Sequence, residues 1–391
     1  DKDKCDKDKW DKDKCDKDKC DKDKWDKDKW DDQVTINEET EKMKKDKSHL
    51  NISLDLSNSI NSAVINEIFE GSNFSEDYLN LEVKGKVNDK ISYRFSKKLD
   101  NNKYDNDYNN IMDLAYLKYK WSDNLDLLIG KQPIAFGSME YTNHFYDKAF
   151  RYSNLYKRNT ENPIGFNLIY HPIKNQELQF QITNNNNNVP IKKEYDNKVW
   201  RYPMGATLNW NSSLFNKMVE SRCSYSIFQE NEKKSFWKVL AIGGKLNIKP
   251  ISMEADYILD EEDIEKNGSV TKIIQSMVFD YNNSPSVKYG TYLLKFKYNF
   301  LPKWNFIAKF VHEIGVSKKE FGDFFGKDKI FQKLYTYYGG IQFHPIKNNE
   351  DFTLHLVYKN QIVNYHLNQM KKENKNNHFI SLGFSYRVNI I

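Results

Sequence analysis

LDLLIGKQ (125–132), GFNLIY (165–170) and LQFQIT (178–183) form the stretch of sequence that decides the fold. The first segment has the pattern of a strand that leads into a long loop, and the other two have the pattern of a hairpin with a tight turn at His171-Pro172. In the third segment leucine, phenylalanine and isoleucine alternate with two glutamines and a threonine. Because successive side chains of a strand point to opposite faces, this ribbon has one apolar and one polar face. Such a ribbon is typical of half of a soluble sandwich or of the wall of a water-filled barrel.

The composition of the chain favours many alternating strands. Of its 391 residues 39% are hydrophobic and 15% are aromatic, with 25 Tyr and 24 Phe, and the mean hydropathy is −0.83. Aromatic residues have high β propensity, and no apolar run approaches the roughly 18–20 residues that a membrane-spanning helix needs. The net charge of +5 is small for this length and argues against a dedicated nucleic-acid binder.

The amino-terminal segment differs in character from the rest of the chain. It is built on the repeat DKDKX, in which X is Cys or Trp. A period of five matches neither a strand nor a helix, and so polar a repeat cannot bury a core. Residues 1–47 are therefore predicted to be a low-complexity tail and linker, disordered or partly helical. The cysteine spacing is unlike that of zinc motifs, so no metal site is predicted, while a disulfide between subunits stays open.

Regular strand patterns occupy residues 48–391, beginning with segments near 50–56 and 79–87. About sixteen strands of roughly 9–12 residues are predicted, with short turns alternating strictly with long polar loops. Two of the short turns, HPIKNQE (171–177) and HPIKNNE (344–350), nearly repeat each other. This pattern predicts an all-β fold, a transmembrane antiparallel β-barrel of about sixteen strands. A soluble sandwich, with strands nearer five or six residues, or a solenoid is the alternative.

Part of the chain resembles a known family. The segments AYLKY (115–119) and IGKQPIAFG (129–137), followed by Glu140, are similar to the phosphate-selective porins of the O and P type. The resemblance implies a sixteen-stranded trimeric porin, and the expected location is the bacterial outer membrane, with the tail in the periplasm. It also implies that the third long loop, Pro133 to Pro163, folds inward and narrows the channel. Its predicted constriction residues are Pro133, Phe136, Gly137 and Glu140.

Basic side chains are the candidates for guiding anions through such a pore. In the loop these are Lys148, Arg151, Lys157 and Arg158. On strand faces assigned to the lumen they include Arg94, Lys118, Lys120, Lys295, Lys297 and Arg387. The acids assigned to the lumen are Asp55, Glu82, Glu220, Glu254 and Asp256. A modest basic excess in a narrow lumen would favour anions, because low-dielectric walls focus the field; the alternative is that these are solvated residues that tune little.

The sequence therefore predicts passive diffusion of small solutes, with a preference for anions such as phosphate. The expected partners are the lipid bilayer, the permeating solutes and further copies in a homotrimer, with no nucleic acid and no cofactor. One alternative is a non-conducting structural or receptor barrel that binds a partner through its long loops. A barrel enzyme is the other alternative, although the chain has no nucleophile elbow, no HExxH motif and no phosphate-binding glycine loop.

Overall fold

The computed structural model describes residues 50–99, 112–142, 149–150, 153, 162–184, 204–230, 235–266, 268, 270–271, 275, 285–318, 329–346, 351–366 and 374–391. Sixteen strands follow one another in the described chain, and a short 3₁₀ helix, Met139–Thr142, lies between the fifth and the sixth. The strands are β1 (Leu50–Ile65), β2 (Ile68–Asn88), β3 (Ile91–Lys98), β4 (Leu114–Ser122), β5 (Leu125–Lys131), β6 (Ile164–Tyr170), β7 (Gln176–Asn184), β8 (Met204–Leu214), β9 (Val219–Gln229), β10 (Phe236–Ile248), β11 (Ile251–Glu262), β12 (Val287–Leu301), β13 (Trp304–Ser317), β14 (Ile330–Phe343), β15 (Phe352–Tyr365) and β16 (Lys375–Asn389).

Every strand pairs antiparallel with its neighbours in sequence, and the last pairs with the first. β16 closes the sheet on β1 in a register that runs from Ser53 opposite Asn389 to Ile65 opposite Asn377. A closed sheet has no edge strand, so each strand can pair its backbone N–H and C=O groups with those of two neighbours. A barrel that spans a bilayer needs this pairing, because lipid tails offer no hydrogen-bond partners. The predicted antiparallel barrel of about sixteen strands is confirmed. Among the described residues, no helix has the length and apolar character needed to cross a bilayer.

The two faces of the barrel follow the alternation in the sequence. Asn167, Gln181 and Thr207 face the lumen on neighbouring strands and are less than 5% exposed. Phe180 and Leu208 face outward and are 45% and 58% exposed. Polar side chains therefore line the interior and apolar ones cover the exterior, the reverse of a soluble β-sandwich.

The first connection differs from the predicted strict alternation of short turns and long loops. The patterns near 50–56 and 79–87 are only parts of β1 and β2, which continue as a hairpin. The hairpin is closed by Asn66 and Glu67, whose φ angles are 48° and 69°. Two consecutive residues with positive φ form the tight turn whose twist matches that of paired strands. The sequence did not predict this hairpin. Serine and asparagine occupy both faces of the segment between the two patterns, so the alternation of apolar and polar side chains is weak there.

The barrel wall is not equally tall all round. β3 to β7 contain seven to nine residues each, whereas β12 and β16 contain fifteen. One side of the barrel, which we call the low wall (β3–β7), is thus much shorter than the side built from β10 to β16.

Candidate functional site

The chain turns into the barrel as it leaves β5. Gln132 N donates a hydrogen bond to Pro163 O (3.0 Å), which closes the base of the inward loop. Gln181 of β7 then binds the first residues of the loop: its Nε2 donates to Pro133 O (2.9 Å) and its Oε1 accepts from Ala135 N (2.8 Å). Both hydrogen bonds come from a lumen-facing side chain, so the loop starts inside the barrel and not above it.

A hydrophobic contact anchors the first half of the loop. Phe136 is fully buried in a cluster on the lumen side of β9, β10 and β11 that includes Phe228, Trp237 and Val239. The rings of Phe136 and Trp237 meet edge to face at 5.8 Å, and Trp237 stacks on Phe228 at 4.6 Å. Burying a phenylalanine side chain stabilises a contact by about 1.5–3 kcal/mol. This part of the lumen wall is apolar because the loop, and not water, covers it.

Asp256 of β11 holds the next residues through three hydrogen bonds. Its carboxylate accepts from Ser138 Oγ (2.8 Å), Met139 N (3.1 Å) and Glu140 N (2.8 Å). Gly137 N donates to Ser224 Oγ at 2.8 Å. These bonds satisfy the amides that begin the short 3₁₀ helix and offset the cost of burying the Asp256 carboxylate.

Glu140 attaches the loop to the far side of the barrel. It lies 2.6 Å from Lys309 Nζ on β13, and the side chains are 0% and 1% exposed. Ser153 also donates to this carboxylate, from its N (2.8 Å) and its Oγ (2.6 Å). β13 is eight strands from β5 in a ring of sixteen (13 − 5 = 8), so the described part of the loop crosses the full width of the lumen.

A second hydrophobic contact anchors the loop beyond Glu140. Phe150 is 2% exposed and packs against Ile307, Tyr338 and Val357 on β13, β14 and β15. Lys309 Nζ lies 5.3 Å from the centre of the Tyr338 ring. The described loop residues therefore bind the wall from β7 to β15.

The wall of β16, β1, β2 and β3, which we call the facing wall, lies across the lumen from these contacts. Its lumen side carries two groups of opposite charges: Arg387 with Asp55, and Arg94 and Lys84 with Glu82. In each pair the cation is more exposed than the carboxylate. The side chains of Arg387, Arg94 and Lys84 are 19%, 21% and 16% exposed, whereas those of Asp55 and Glu82 are each 4% exposed. The facing wall thus presents guanidinium and ammonium groups to the water and keeps its carboxylates behind them.

The other predicted wall lysines have varied surroundings. Lys118 lies 2.9 Å from Asp126, both buried, and Lys295 lies 3.7 Å from Glu254. Lys120 lies opposite Asp126 in the strand register, is half exposed and pairs with Asp123 in the short turn after β4. Lys297 is half-buried. Lys148, Arg151, Lys157 and Arg158 lie outside the described residues.

Sequence reasoning missed several parts of this site. Lys309 faces the lumen from β13, but its role as the partner of Glu140 had no local signal in the sequence. Four further acids also face the lumen and are at most 4% exposed: Asp126, Asp260, Glu262 and Glu313. The apolar patch that receives Phe136 did have a signal, because VLAIGG (239–244) is apolar on both faces, unlike the other strands of the barrel.

Comparison with solved structures supports the barrel. The outer membrane channel DcaP of Acinetobacter baumannii is similar with a TM-score of 0.61, 12% identity, and coverage of 88% of this chain and 98% of that one. The anion-selective porin from Comamonas acidovorans is similar with a TM-score of 0.57, 6% identity, and coverage of 87% and 100%. The in-vitro folded trimer form of OmpT of Vibrio cholerae has a TM-score of 0.55, 11% identity, and coverage of 88% and 100%. At these identities the likeness concerns the fold.

Comparison with curated proteins finds no match. The family model described as phosphate-selective porin O and P matches residues 49–388, which include every strand of the barrel except the final residue of β16. The closed sixteen-stranded barrel, the polar lumen and the inward loop agree with that match. The chain belongs to the phosphate-selective porin O and P family, and it is an outer-membrane porin.

Proposed function

We propose that this porin conducts small solutes passively through the gap between the inward loop and the facing wall, and that it prefers anions such as phosphate. The observation that carries the proposal is the unequal exposure within the ion pairs of the facing wall. Arg94, Lys84 and Arg387 reach the water, while Glu82 and Asp55 are recessed. A solute in the gap therefore meets positive charge first, and the low dielectric of the surrounding wall strengthens that field.

The acids elsewhere in the lumen are too buried, paired or distant to cancel this effect. The four further lumen-facing acids, Asp126, Asp260, Glu262 and Glu313, are at most 4% exposed. Glu140 and Lys309 neutralise each other out of contact with water, and Asp256 is covered by the loop that it binds. Lys245 and Glu254 form a further pair in which both side chains are less than 10% exposed. Glu177 and Glu220 are half-buried acids that lie close to short turns, away from the loop. The charge that a permeating ion meets at the level of the loop is thus more positive than the lumen composition suggests.

Reversal potential in a planar bilayer under a salt gradient tests this proposal. The wild-type pore is expected to favour the anion, because the accessible charge of the facing wall is positive. Lys84→Gln with Lys86→Gln should move the reversal potential towards zero, since two lumen-facing lysines lose their charge while Arg94 still pairs with Glu82. Arg151→Ala with Arg158→Ala extends the test to the predicted basic residues of the loop.

The matched control is Lys90→Gln with Lys174→Gln, which removes the same charge from exposed lysines in short turns. Its reversal potential should stay close to that of the wild type. A wild-type pore without ion preference, or one that favours cations, would overturn the anion proposal and leave a general diffusion pore.

We further propose that the porin assembles as a homotrimer through its low wall. A strand of seven residues is about 24 Å long and, at a tilt of about 40°, spans only about 18 Å of height. The apolar band of an outer-membrane barrel is about 25 Å tall, so β5 and β6 alone do not cover it. Ile129, Phe166 and Phe180 on this wall are nevertheless 41–54% exposed in the isolated chain. Further copies of the chain would cover the low wall, and a trimer form of OmpT among the similar solved structures supports an assembly of three copies.

The orientation that we propose puts the amino-terminal tail in the periplasm. β1 begins at Leu50, which pairs with Gly85 close to the short turn at Asp89 and Lys90. Short turns are periplasmic and long loops extracellular in outer-membrane barrels. Protease added outside intact cells should then leave the tail uncut.

A further inference from the structure

Four aromatic rings form a continuous row on the outer surface of the tall side of the barrel. Tyr257, Tyr292, His312 and Tyr335 come from β11, β12, β13 and β14 and lie directly opposite one another in the sheet register. Their centroids are 5.0 Å apart for Tyr257 and Tyr292, 6.3 Å for Tyr292 and His312, and 4.4 Å for His312 and Tyr335. All of them alternate with lumen-facing residues, so the row faces away from the pore. We call it the aromatic row.

The position of the aromatic row along the barrel marks a membrane boundary. Trp304 faces the same side of β13 beside a short turn and stacks on Phe343 at 4.4 Å. Eight residues separate Trp304 from His312, which is about 27 Å along the strand and about 21 Å in height at a tilt of about 40°. The outward side chains between the two levels, such as Leu294 and Ile341, are apolar. Aromatic girdles flank the apolar band at both interfaces, so the aromatic row lies at the boundary on the loop side.

A basic patch lies directly beyond the aromatic row. Lys238, Glu261 and Lys288 are consecutive partners on the outward face of β10, β11 and β12. Lys288 is four residues from Tyr292 on the same strand, about 10 Å further from the apolar band. Lys318 follows β13, and Lys333 lies on β14 two residues from Tyr335. The basic patch is defined by Lys238, Lys288, Lys318 and Lys333.

The carboxylates at this level do not neutralise the basic patch. Glu261 lies 3.1 Å from Lys288 and 3.4 Å from Lys318, and Asp263 lies 3.3 Å from Lys318. Two of the lysines thus share these acids, while Lys238 and Lys333 flank the group on either side. The net charge of the patch is positive.

We propose that the basic patch binds the phosphate group of a lipid headgroup in the outer leaflet. The aromatic row marks the depth at which acyl chains meet headgroups, and the lysines lie about 5 to 15 Å beyond it, within the headgroup region. Lysine binds phosphate as a flexible point charge, and its long stem can bend towards the interface. Anionic lipids attract basic groups at the membrane surface for the same electrostatic reason.

The location of the basic patch fits a lipid partner better than a protein partner. β12 and β13 are eight strands from β4 and β5 of the low wall, so they lie on the opposite side of the barrel (12 − 4 = 8). A trimer built on the low wall leaves the tall side facing lipid. The patch and the aromatic row are then in permanent contact with the leaflet that contains the long loops.

Native mass spectrometry of the full chain, folded in detergent, tests the proposal. The probes are bis-phosphorylated lipid A, the same glycolipid without phosphate, and inorganic phosphate. Wild-type protein should retain bis-phosphorylated lipid A and lose the phosphate-free form. Lys238→Gln with Lys333→Gln should reduce retained bis-phosphorylated lipid about tenfold, because each lysine near a membrane surface contributes a several-fold gain in affinity.

Lys90→Gln with Lys174→Gln is the matched control and should retain lipid as the wild type does, since both lysines lie in short turns at the other end of the barrel. Heat-dependent gel mobility checks that each variant is a folded barrel. Equal retention of the phosphate-free glycolipid would overturn the proposal in favour of apolar contact alone. Displacement of the lipid by millimolar inorganic phosphate would also overturn it, because the patch would then be a site for the free anion.

Discussion

At the scale of single residues, the pair of Glu140 and Lys309 fixes the position of the inward loop. Both charges are removed from water, and their hydrogen bonds to each other and to Ser153 compensate for that loss. A buried pair contributes little to stability relative to apolar residues, but removing one partner leaves a buried charge without compensation. The pair is therefore better understood as a device that specifies where the loop attaches.

Glu140→Gln is expected to loosen the loop, at a cost of about 3–5 kcal/mol to its attachment. Single-channel recording should show larger or noisier conductance, and hydrogen exchange should accelerate at residues 135–142. The double variant Glu140→Gln with Lys309→Met removes both charges and should recover most of the protection. Unchanged exchange in Glu140→Gln would mean that Phe136 and Asp256 hold the loop without help from the pair.

A second buried carboxyl lies just beyond the end of β9. The side chain of Glu230 is fully buried, its Oε1 lies 3.6 Å from Lys266 Nζ, and that amine lies 3.0 Å from the centre of the Trp237 ring. Burial raises the pKa of Glu230 from 4.5 to about 7, and the charge of Lys266 offsets only part of the shift. Between pH 4.5 and 7, Glu230 therefore keeps its proton in the folded protein and loses it when the segment around it opens.

The packing of this segment should be most stable at acidic pH and should weaken as the pH rises through about 7, because the raised pKa belongs to the folded form. Hydrogen exchange of the Lys266 amide, corrected for intrinsic rates, should show decreasing protection from pH 5 to pH 8. Glu230→Gln should make the protection independent of pH, whereas Glu67→Gln in the β1–β2 turn should behave as the wild type does. A pH dependence that persists in Glu230→Gln would assign the titration to another group.

At the scale of elements, β10 and the loop are shaped to fit each other. The lumen side of β10 is apolar at Trp237, Val239 and Ala241 and then lacks a side chain at Gly243. A Cβ at Gly243 would collide with the Asp256 carboxylate and would come within 2.7 Å of Met139 N. Gly243 therefore makes room for the hydrogen bonds between Asp256 and the loop.

Gly243→Ala should displace the residues around Met139 and raise the single-channel conductance. Gly244→Ala is the matched control, because it adds the same methyl group on the outer face, where the nearest atom is 3.9 Å away. The two variants have the same composition and the same loss of backbone freedom. Equal conductance in the two would show that the loop tolerates the methyl group by a small shift.

At the scale of the whole molecule, the unequal wall heights give the barrel two different sides. The low wall is too short to cover the apolar band alone, whereas the tall side carries aromatic residues at two levels and a basic patch beyond the upper one. The proposed assembly on the low side and the proposed lipid contact on the tall side would both follow from that asymmetry.

Ile129→Arg on the low wall is expected to convert the proposed trimer to monomers, because it would bury a charge between subunits. Light scattering of the detergent-solubilised protein measures the change in mass. Leu294→Arg on the tall side is the control: Leu294 is exposed in the isolated chain to a similar extent, 56% against 54% for Ile129, and its substitution should leave the mass unchanged. A wild-type monomer, or a trimer that survives Ile129→Arg, would place the interface elsewhere or exclude it.

The sequence by itself determined the closed barrel, its strand number and its inside-out polarity. The alternation of apolar and polar side chains in segments such as LQFQIT (178–183) is a local property, and it gives each strand one polar and one apolar surface. The resemblance of IGKQPIAFG (129–137) to its family also located the inward loop. The far part of the β1–β2 hairpin was not predicted, because serine and asparagine occupy both faces of the segment between the two recognised strand patterns.

Only the tertiary structure decided where the loop attaches and which charges reach the water. Glu140 and Lys309 are 169 residues apart, and Ser138 and Asp256 are 118 apart. No local pattern encodes such contacts, because they depend on which strands close the ring and on the stagger between them. Closure of the barrel also buries Glu82 beneath Arg94. The charge that a solute meets in the lumen therefore depends on which side chains are exposed, and the composition alone does not give it.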